Sequence, residues 1–289
     1  MPASVLLPIV ELAFILATTP QSWSVEGFST PESVVWDERS DVYLVSNING
    51  GAHDADDNGF ISRVSPPPDP RIVDIAWIDG ADRDVTLHAP KGLALAGELL
   101  YVVDVGAVRM FDRTTGAPRG MVDVPGMFVN DIVASSDEGG VVYVSATGLD
   151  RSLSPRGAAG IWAIEQGVAR PVASGAQLGG PNGLAFANGT LVVVGFGSGE
   201  LYRLCGGRRA QIEKLPAGGL DGVVVLPDGR FAVSSWDASA VFVGGGGLWR
   251  KEAWTVPTPA DLGLDTRRGL LLVPSFSENR VEMHAVSAP

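Results

Sequence analysis

A short motif recurs six times along the chain after residue 20, and this repetition constrains the fold more than any other sequence feature. In each copy a turn segment leads into three or four apolar residues, as in PES-VVW, PNG-LAF and LDG-VVV. The central residues of the six turns are at positions 32, 91, 130, 182, 221 and 260. Repeats spaced by roughly 40 to 60 residues are typical of propellers and related arrays.

Each copy of the motif is followed by a second and a third apolar strand, with almost no helical periodicity after residue 20. A fourth, more polar strand can be assigned in five of the six repeats. The pattern predicts an all-β fold, a six-bladed β-propeller with four-stranded antiparallel blades. A β-sandwich with irregular strands is the alternative.

The sixth repeat has no room for a fourth strand, because the sequence ends five residues after His284. Residues 22–28 lie just before the first repeat, where a fourth strand is expected. We therefore expect an N-terminal strand to complete the last blade and close the ring, which removes exposed sheet edges. The domain prediction is one propeller over residues 22–289, preceded by an extension over residues 1–21.

The apolar stretch at residues 5–17, followed by Thr-Thr-Pro, resembles the central region of a secretory signal. No Lys or Arg precedes it, however, and Glu11 interrupts it. It is too short to span a bilayer as a helix. Both an exported protein and a cytoplasmic protein with an N-terminal extension remain open.

The net charge of −12 argues against nucleic acid and anionic membranes as partners, because both reward basic surfaces. The single cysteine, Cys205, excludes an intrachain disulfide. We therefore expect a small-molecule substrate as the partner, and the oligomeric state stays open.

The first strand of each propeller blade lines the central channel, so the six motif residues are expected to converge at one face. They are Glu32, Lys91, Asn130, Asn182, Asp221 and Ala260. Two carboxylates and two amides among them offer hard oxygen atoms, which suit Ca²⁺ or another oxygen-preferring divalent cation better than Zn²⁺. The alternative is that these Asn and Asp residues only begin strands by accepting turn hydrogen bonds.

Four of these segments, PESVVWD, FVNDIVA, GPNGLAF and LDGVVVLPDG, resemble the channel motifs of the SMP-30/gluconolactonase/LRE-like family, which is related to the diisopropylfluorophosphatase and paraoxonase propellers. The segments VSNINGG and DNGFISRVSP resemble a bacterial branch of that family. The similarity extends over nearly all of the chain from about Ser24 onward. It implies a calcium-dependent hydrolase of lactones or related esters.

The resemblance also implies roles for individual residues. Glu32, Asn130, Asn182 and Asp221 match the metal-ligand positions of the family, and Asp221 matches the carboxylate that acts as base or nucleophile. Sugar lactonases of the family have an Arg two residues before the third-blade Asn, where this chain has Phe128. A less polar substrate than gluconolactone is therefore expected.

Further residues are candidates for the same pocket. Lys91 is a candidate catalytic residue that would offset negative charge on a substrate or intermediate, unless it points to solvent. Asn47 and Asp104 end second strands near the same face, and His88 lies three residues before Lys91, so all three are candidates for substrate binding together with Phe128. His53 is expected to be a solvated loop residue, and tryptophans such as Trp236 are expected to pack between blades.

Three functions remain open at this stage. The leading prediction is a metal-dependent hydrolase of the lactonase or esterase type. The alternatives are a non-hydrolytic biosynthetic enzyme on the same scaffold, similar to strictosidine synthase, and a binding propeller without catalysis. Fold alone does not choose between them.

Overall fold

The computed structural model describes residues 22–136, 140–152, 154–157 and 159–286. These residues form six four-stranded antiparallel sheets, with a single 3₁₀ turn at Ala176–Leu178. The prediction of an all-β, six-bladed propeller is therefore confirmed. No helix in the described ranges is long and apolar enough to cross a membrane. The predicted extension, residues 1–21, lies outside the described residues.

The strands follow the repeats in order, four to a blade. The first described strand, β1, is Ser22–Glu26. Blades 1 and 2 contain β2 Pro31–Asp37, β3 Val42–Asn47, β4 Phe60–Val64, β5 Ile72–Asp79, β6 Leu93–Ala96, β7 Leu99–Asp104, β8 Ala107–Asp112 and β9 Pro118–Asp123. Blades 3 and 4 contain β10 Val129–Ala134, β11 Val142–Ala146, β12 Gly160–Glu165, β13 Val168–Ser174, β14 Pro181–Ala187, β15 Thr190–Gly195, β16 Glu200–Cys205 and β17 Arg208–Lys214. Blades 5 and 6 contain β18 Leu220–Val225, β19 Phe231–Ser235, β20 Ala240–Gly245, β21 Leu248–Lys251, β22 Gly263–Asp265, β23 Leu270–Ser275 and β24 Arg280–Ala285.

The ring is closed by the N-terminal strand, as the sequence predicts. Strand β1 pairs antiparallel with β24 from Ser22 opposite His284 to Glu26 opposite Arg280. The sixth sheet therefore has the order β1-β24-β23-β22, and each other sheet is built from four consecutive strands.

The hydrophobic core is divided among the interfaces between blades. Six clusters of buried apolar side chains are found in the described residues, and each draws on two neighbouring blades. For example, Val45 of blade 1 and Met283 of blade 6 belong to the same cluster. Alternation along each strand sends every second side chain into one interface or the other, which explains the short β-branched runs of the sequence.

The turn before the inner strand of a blade has a repeated conformation that controls the direction of the motif residue. The residue two positions before the motif residue has a positive φ in five blades, and these residues are Thr30, Phe128, Gly180, Gly219 and Thr258. In blades 1, 3, 4 and 5 the register between the first two strands then shifts around the motif residue itself. Such β-bulges bend a strand and re-aim a side chain. In blades 2 and 6 the continuous inner strand begins after the motif residue, although a single bridge pairs Pro259 with Ser275 in blade 6.

Candidate functional site

The four predicted metal ligands occupy the four bulges. The register shifts fall between Pro31 and Val34, Val129 and Ile132, Pro181 and Leu184, and Leu220 and Val223. Each interval contains one of the candidate ligands, Glu32, Asn130, Asn182 or Asp221. The bulge thus turns these side chains out of the strand ladder at equivalent places around the ring.

The four side chains line one cavity of about 320 Å³ at the end of the channel. Each is buried, with no more than 4 % of its surface exposed. One oxygen of each side chain is buried without a hydrogen-bond partner among the described residues: Glu32 Oε2, Asn130 Oδ1, Asn182 Oδ1 and Asp221 Oδ1. An unsatisfied buried oxygen costs roughly 1–3 kcal/mol. Four of them around one cavity fit a bound cation better than turn hydrogen bonds.

The two carboxylates are unfavourable as anions unless a positive charge compensates them. Burial, followed by the negative charges of Asp221 and Asp261, raises the pKa of Glu32 well above its usual value. Burial and the charge of Asp261 raise the pKa of Asp221 to about 7, although hydrogen bonds from Trp236 and Asn182 oppose the shift. A divalent cation between the two groups would reverse this effect and hold both in the ionised form.

The donor set is half amide and half carboxylate. In the described part of the chain, no group of three or more His, Cys, Asp and Glu side chains is placed to hold a metal ion. The four candidate ligands include neither His nor Cys, the side chains that Zn²⁺ prefers. Carboxylate and amide oxygens, with space left for water or substrate, do fit Ca²⁺.

Lys91 faces the same cavity and is 1 % exposed. Its Nζ donates to the carbonyl oxygen of Ala89 at 2.9 Å and lies 5.4 Å from the centre of the Phe128 ring. Burial lowers the pKa of Lys91, whereas the charges of Glu32 and Asp104 raise it. The Lys91 side chain therefore points into the cavity and not to solvent.

The wall of the cavity is largely aromatic and aliphatic. Trp236 contacts Phe276 at 5.2 Å and Phe196 at 6.1 Å between ring centroids, and Ile48 and Leu149 complete the apolar surface. Trp236 also donates from Nε1 to Asp221 Oδ2 at 2.7 Å. The prediction that Trp236 is a blade-packing residue is incomplete, because its ring lines the cavity and its N–H group holds a candidate ligand.

A periodic signal for this wall is present in the sequence. Ile48, Phe196, Trp236 and Phe276 each come directly after the last residue of the second strand of a blade. The backbone N–H at that position donates to the carbonyl oxygen of the residue two positions before the motif residue, for example from Trp236 to Gly219. A search of the sequence for apolar residues directly after the second strand of each blade would therefore have found these four side chains.

Phe128 lines the cavity in a backbone conformation that is unusual for a bulky residue, with φ = 58°. The same position is Gly in blades 4 and 5. Its ring contacts the imidazole of His53 at 4.7 Å between centroids. The left-handed conformation costs about 1–2 kcal/mol relative to an ordinary one, so contacts of the ring must compensate for it.

Three predicted substrate-binding residues are not among those that line this cavity in the described chain. Asn47 accepts from the Ser29 amide and donates to Val45 O and Ser62 Oγ. Asp104 accepts from the backbone amides of His88 and Ala89 and from Arg109 Nε. The polar atoms of both side chains thus form local hydrogen bonds. These hydrogen bonds hold the loops behind the cavity in position.

His88 is the third of these residues. Its Nδ1 lies 3.0 Å from Asp57 Oδ1, so the ring faces the loop between β3 and β4. Asp104 accepts hydrogen bonds from the turn that leads to Lys91, and its negative charge also acts on Lys91. The sequence places these residues near the correct face, but hydrogen bonds turn their side chains away from the cavity.

Two loops meet over the cavity. Arg151, between β11 and β12, donates to Asp54 Oδ1 at 2.7 Å and to the carbonyl oxygen of His53 at 3.3 Å, both between β3 and β4. Arg151, His53 and Ala52 all line the cavity. The expectation of a solvated His53 is therefore corrected: the Arg151 contact draws this loop over the channel mouth.

Comparisons with known proteins agree with this architecture. No protein-family model matches the chain, and no curated protein sequence matches it. Among solved structures, a gluconolactonase from Xanthomonas campestris aligns over 93 % of this chain and 90 % of its own, with a TM-score of 0.68 and 17 % identity. The fold is that of the gluconolactonase propellers.

Two further solved structures also resemble the chain. A putative gluconolactonase aligns over 92 % of both chains, with a TM-score of 0.65 and 16 % identity. A streptogramin B lyase aligns over 93 % of this chain and 98 % of its own, with a TM-score of 0.64 and 10 % identity. At such identities the likeness shows the fold, and function has to be argued from the cavity.

Proposed function

We propose that this protein is a calcium-dependent hydrolase of a lactone or related ester with a largely apolar body. The observation that carries the proposal is the set of four unsatisfied oxygen atoms, from four different blades, around one cavity. A propeller that only docks a partner protein has no need for such oxygens in its channel. The apolar wall beside them supports a small organic substrate.

Glu32, Asn130, Asn182 and Asp221 would hold the cation. When bound, Ca²⁺ would supply Lewis-acid stabilisation of the negative charge that develops on a carbonyl oxygen. The two carboxylates would balance its charge, and the two amides would add neutral oxygen ligands.

Three side chains have separate roles in the proposed reaction. Asp221 takes a proton from the attacking water as the water oxygen adds to the carbonyl carbon. The C–O bond of the lactone then breaks, and the proton passes to the departing alkoxide, which leaves a hydroxy acid. Trp236 orients Asp221 through its N–H group, and Lys91 offsets negative charge on the intermediate.

The cavity wall indicates the polarity of the substrate. Phe128 stands where a sugar-binding Arg is expected from the family resemblance, and Phe196, Trp236 and Phe276 also line the cavity. A polyhydroxylated sugar lactone would leave its hydroxyl groups unpaired against these rings, which is unfavourable. A lactone or ester with an alkyl or aryl group would bury that group instead.

An activity screen over lactones, aryl esters and phosphotriesters, with and without chelator, tests this function. We expect hydrolysis of apolar lactones or esters that is lost on chelation and restored by Ca²⁺. Hydrolysis that is insensitive to chelator, or the absence of hydrolysis across the screen, would contradict the proposal. Product analysis by mass spectrometry separates hydrolysis, which adds water, from condensation or cyclisation.

Removal of the indole N–H group from Trp236 tests whether the hydrogen bond from Trp236 orients Asp221. In Trp236→Phe the ring remains, but Asp221 Oδ2 loses its 2.7 Å hydrogen bond. We expect the calcium affinity, measured by isothermal titration calorimetry, to fall by roughly 10- to 100-fold, as for other groups that orient metal ligands.

Trp36→Phe is the matched control, because Trp36 Nε1 also donates to an aspartate, Asp41, away from the cavity. Its calcium affinity should equal that of the unaltered protein. Equal losses in the two variants would show that Trp236 does not act through Asp221.

A further inference from the structure

The imidazole of His53 is a polar group in the cavity that the proposed reaction does not use. It lies in the loop between β3 and β4, with its ring against Phe128 at 4.7 Å between centroids and an interplanar angle of 37°. Its Nε2 is buried and has no hydrogen-bond partner among the residues that the structure describes. Because His53 lines the cavity, a bound substrate can supply that partner.

The surroundings of the ring indicate which hydrogen-bonding role Nε2 plays. Burial, followed by the positive charges of Lys91 and Arg151, lowers the pKa of His53, whereas a backbone hydrogen bond with Asp150 and the charge of that residue raise it. The ring is therefore neutral near pH 7. Because Nε2 is unpartnered, we assign the hydrogen bond with the Asp150 backbone to Nδ1, which places the ring proton on Nδ1. Nε2 is left as an acceptor.

We propose that Nε2 of His53 accepts a hydrogen bond from an O–H or N–H group of the substrate. This inference rests on the proposed hydrolase function and narrows its substrate class. The substrate is a lactone or ester with an apolar body and a hydrogen-bond donor close to its reacting carbonyl group. The Arg151 contact with Asp54 and with the His53 carbonyl holds the acceptor over the cavity.

The proximity of His53 to the candidate metal ligands supports a donor near the carbonyl. His53 lines the same cavity as the four candidate ligands, and Phe128, whose ring packs against the imidazole, lies two residues before Asn130 in sequence. In a cavity of about 320 Å³, a substrate whose carbonyl oxygen meets a cation held by the four ligand oxygens would therefore bring its neighbouring substituents towards His53. A substrate without a donor there leaves Nε2 desolvated and unpaired, which corresponds to roughly 10- to 100-fold weaker binding.

A binding experiment with unreactive probes tests the proposal. The probes are three N-methyl γ-lactams that carry hydroxyl, methoxyl or hydrogen beside the carbonyl, and binding is followed by NMR titration in the presence of Ca²⁺. We expect the hydroxyl compound to bind at least about 10-fold more tightly than the other two. Equal affinities for the three, or no binding by a protein that hydrolyses lactones, would overturn the inference.

Two substitutions at the same position provide the matched comparison. His53→Leu has no acceptor, so the preference for hydroxyl should disappear. His53→Gln presents both an amide oxygen and an amide N–H group, so it should bind the hydroxyl and methoxyl probes nearly equally. A preference for hydroxyl that persists in His53→Leu would assign it to another group.

The tautomer of His53 gives a readout that needs neither turnover nor ligand. The chain has 3 histidines, so long-range ¹H–¹⁵N spectra can assign each ring, with His53→Leu identifying the signal of interest. We expect the proton of neutral His53 on Nδ1, and a proton on Nε2 would overturn the inference. Loss of the proposed hydrolase function would instead appear as inactivity of the unaltered protein toward all lactones and esters.

Discussion

Replacing Asp221 by Asn is expected to remove nearly all calcium-dependent hydrolysis. Asp221 supplies one of two carboxylates in the set of four oxygens, and it is also the proposed base. Loss of general-base catalysis alone corresponds to a decrease of about 10²- to 10⁴-fold in kcat/KM. Weaker cation binding adds to this loss, and calorimetry with Ca²⁺ measures that contribution separately.

Asp261→Asn is the control for charge. Asp261 is a buried carboxylate in the neighbouring blade, and it accepts a hydrogen bond from Ser33 Oγ, but it is not among the residues that line the cavity in the described chain. Its replacement removes the same charge from the channel without removing a proposed ligand. We expect Asp261→Asn to retain calcium binding and hydrolysis. Retention of full activity by Asp221→Asn would refute the assignment of Asp221.

The same Asp221→Asn substitution should stabilise the calcium-free protein. The pKa of Asp221 is about 7 in the folded chain, against an ordinary value of 3.8. Because the folded pKa is the higher one, stability falls as pH rises from about 4 to about 7 and stays reduced above that range. An uncharged Asn avoids this penalty. In chelator at about pH 8, thermal unfolding should occur at a higher temperature for Asp221→Asn than for the unaltered protein.

Deleting the closing strand is expected to have the largest effect on folding. A chain that begins at Gly27 lacks β1, so β24 becomes an open edge and blade 6 loses its fourth strand. The buried side chain of Val25 and the partly buried Trp23 leave their cluster. Full burial of an apolar side chain contributes about 1.5–3 kcal/mol to the free energy of unfolding. Loss of both side chains and of the strand pairing should therefore lower the melting temperature by roughly 10 °C or more.

A chain that begins at Ser22 is the control, because it retains every strand of the ring. It should unfold at the temperature of the full chain and stay monodisperse in size-exclusion chromatography. The chain that begins at Gly27 should also aggregate through the exposed edge. If both shortened chains unfold at the same temperature, closure by β1 does not stabilise the ring.

The sequence is informative about the ring because blades repeat. Glu32, Asn130, Asn182 and Asp221 occupy the same place in four copies of one motif, so the position of one predicts the positions of the others. The closing strand is predictable for a similar reason, since a blade with three strands needs a fourth. Such inferences depend on periodicity and need no knowledge of side-chain conformation.

The loops and the polar residues behind the cavity do not repeat, and there the sequence was less informative. His53 reaches the cavity because Arg151, almost one hundred residues away in sequence, contacts its loop. Asn47 and Asp104 end strands at the correct face, yet backbone amides and neighbouring side chains use their hydrogen-bonding capacity. Whether a polar side chain faces a cavity or a nearby amide depends on tertiary geometry that no local pattern specifies.

The pairing of β1 with β24 has a consequence for biosynthesis. The first strand of the ring emerges from the ribosome long before its partner in the sixth blade. The ring therefore cannot close before β24 has been translated, and β1 has to remain available for pairing until then. Chaperones that shield extended segments would be expected to act on this protein during that interval.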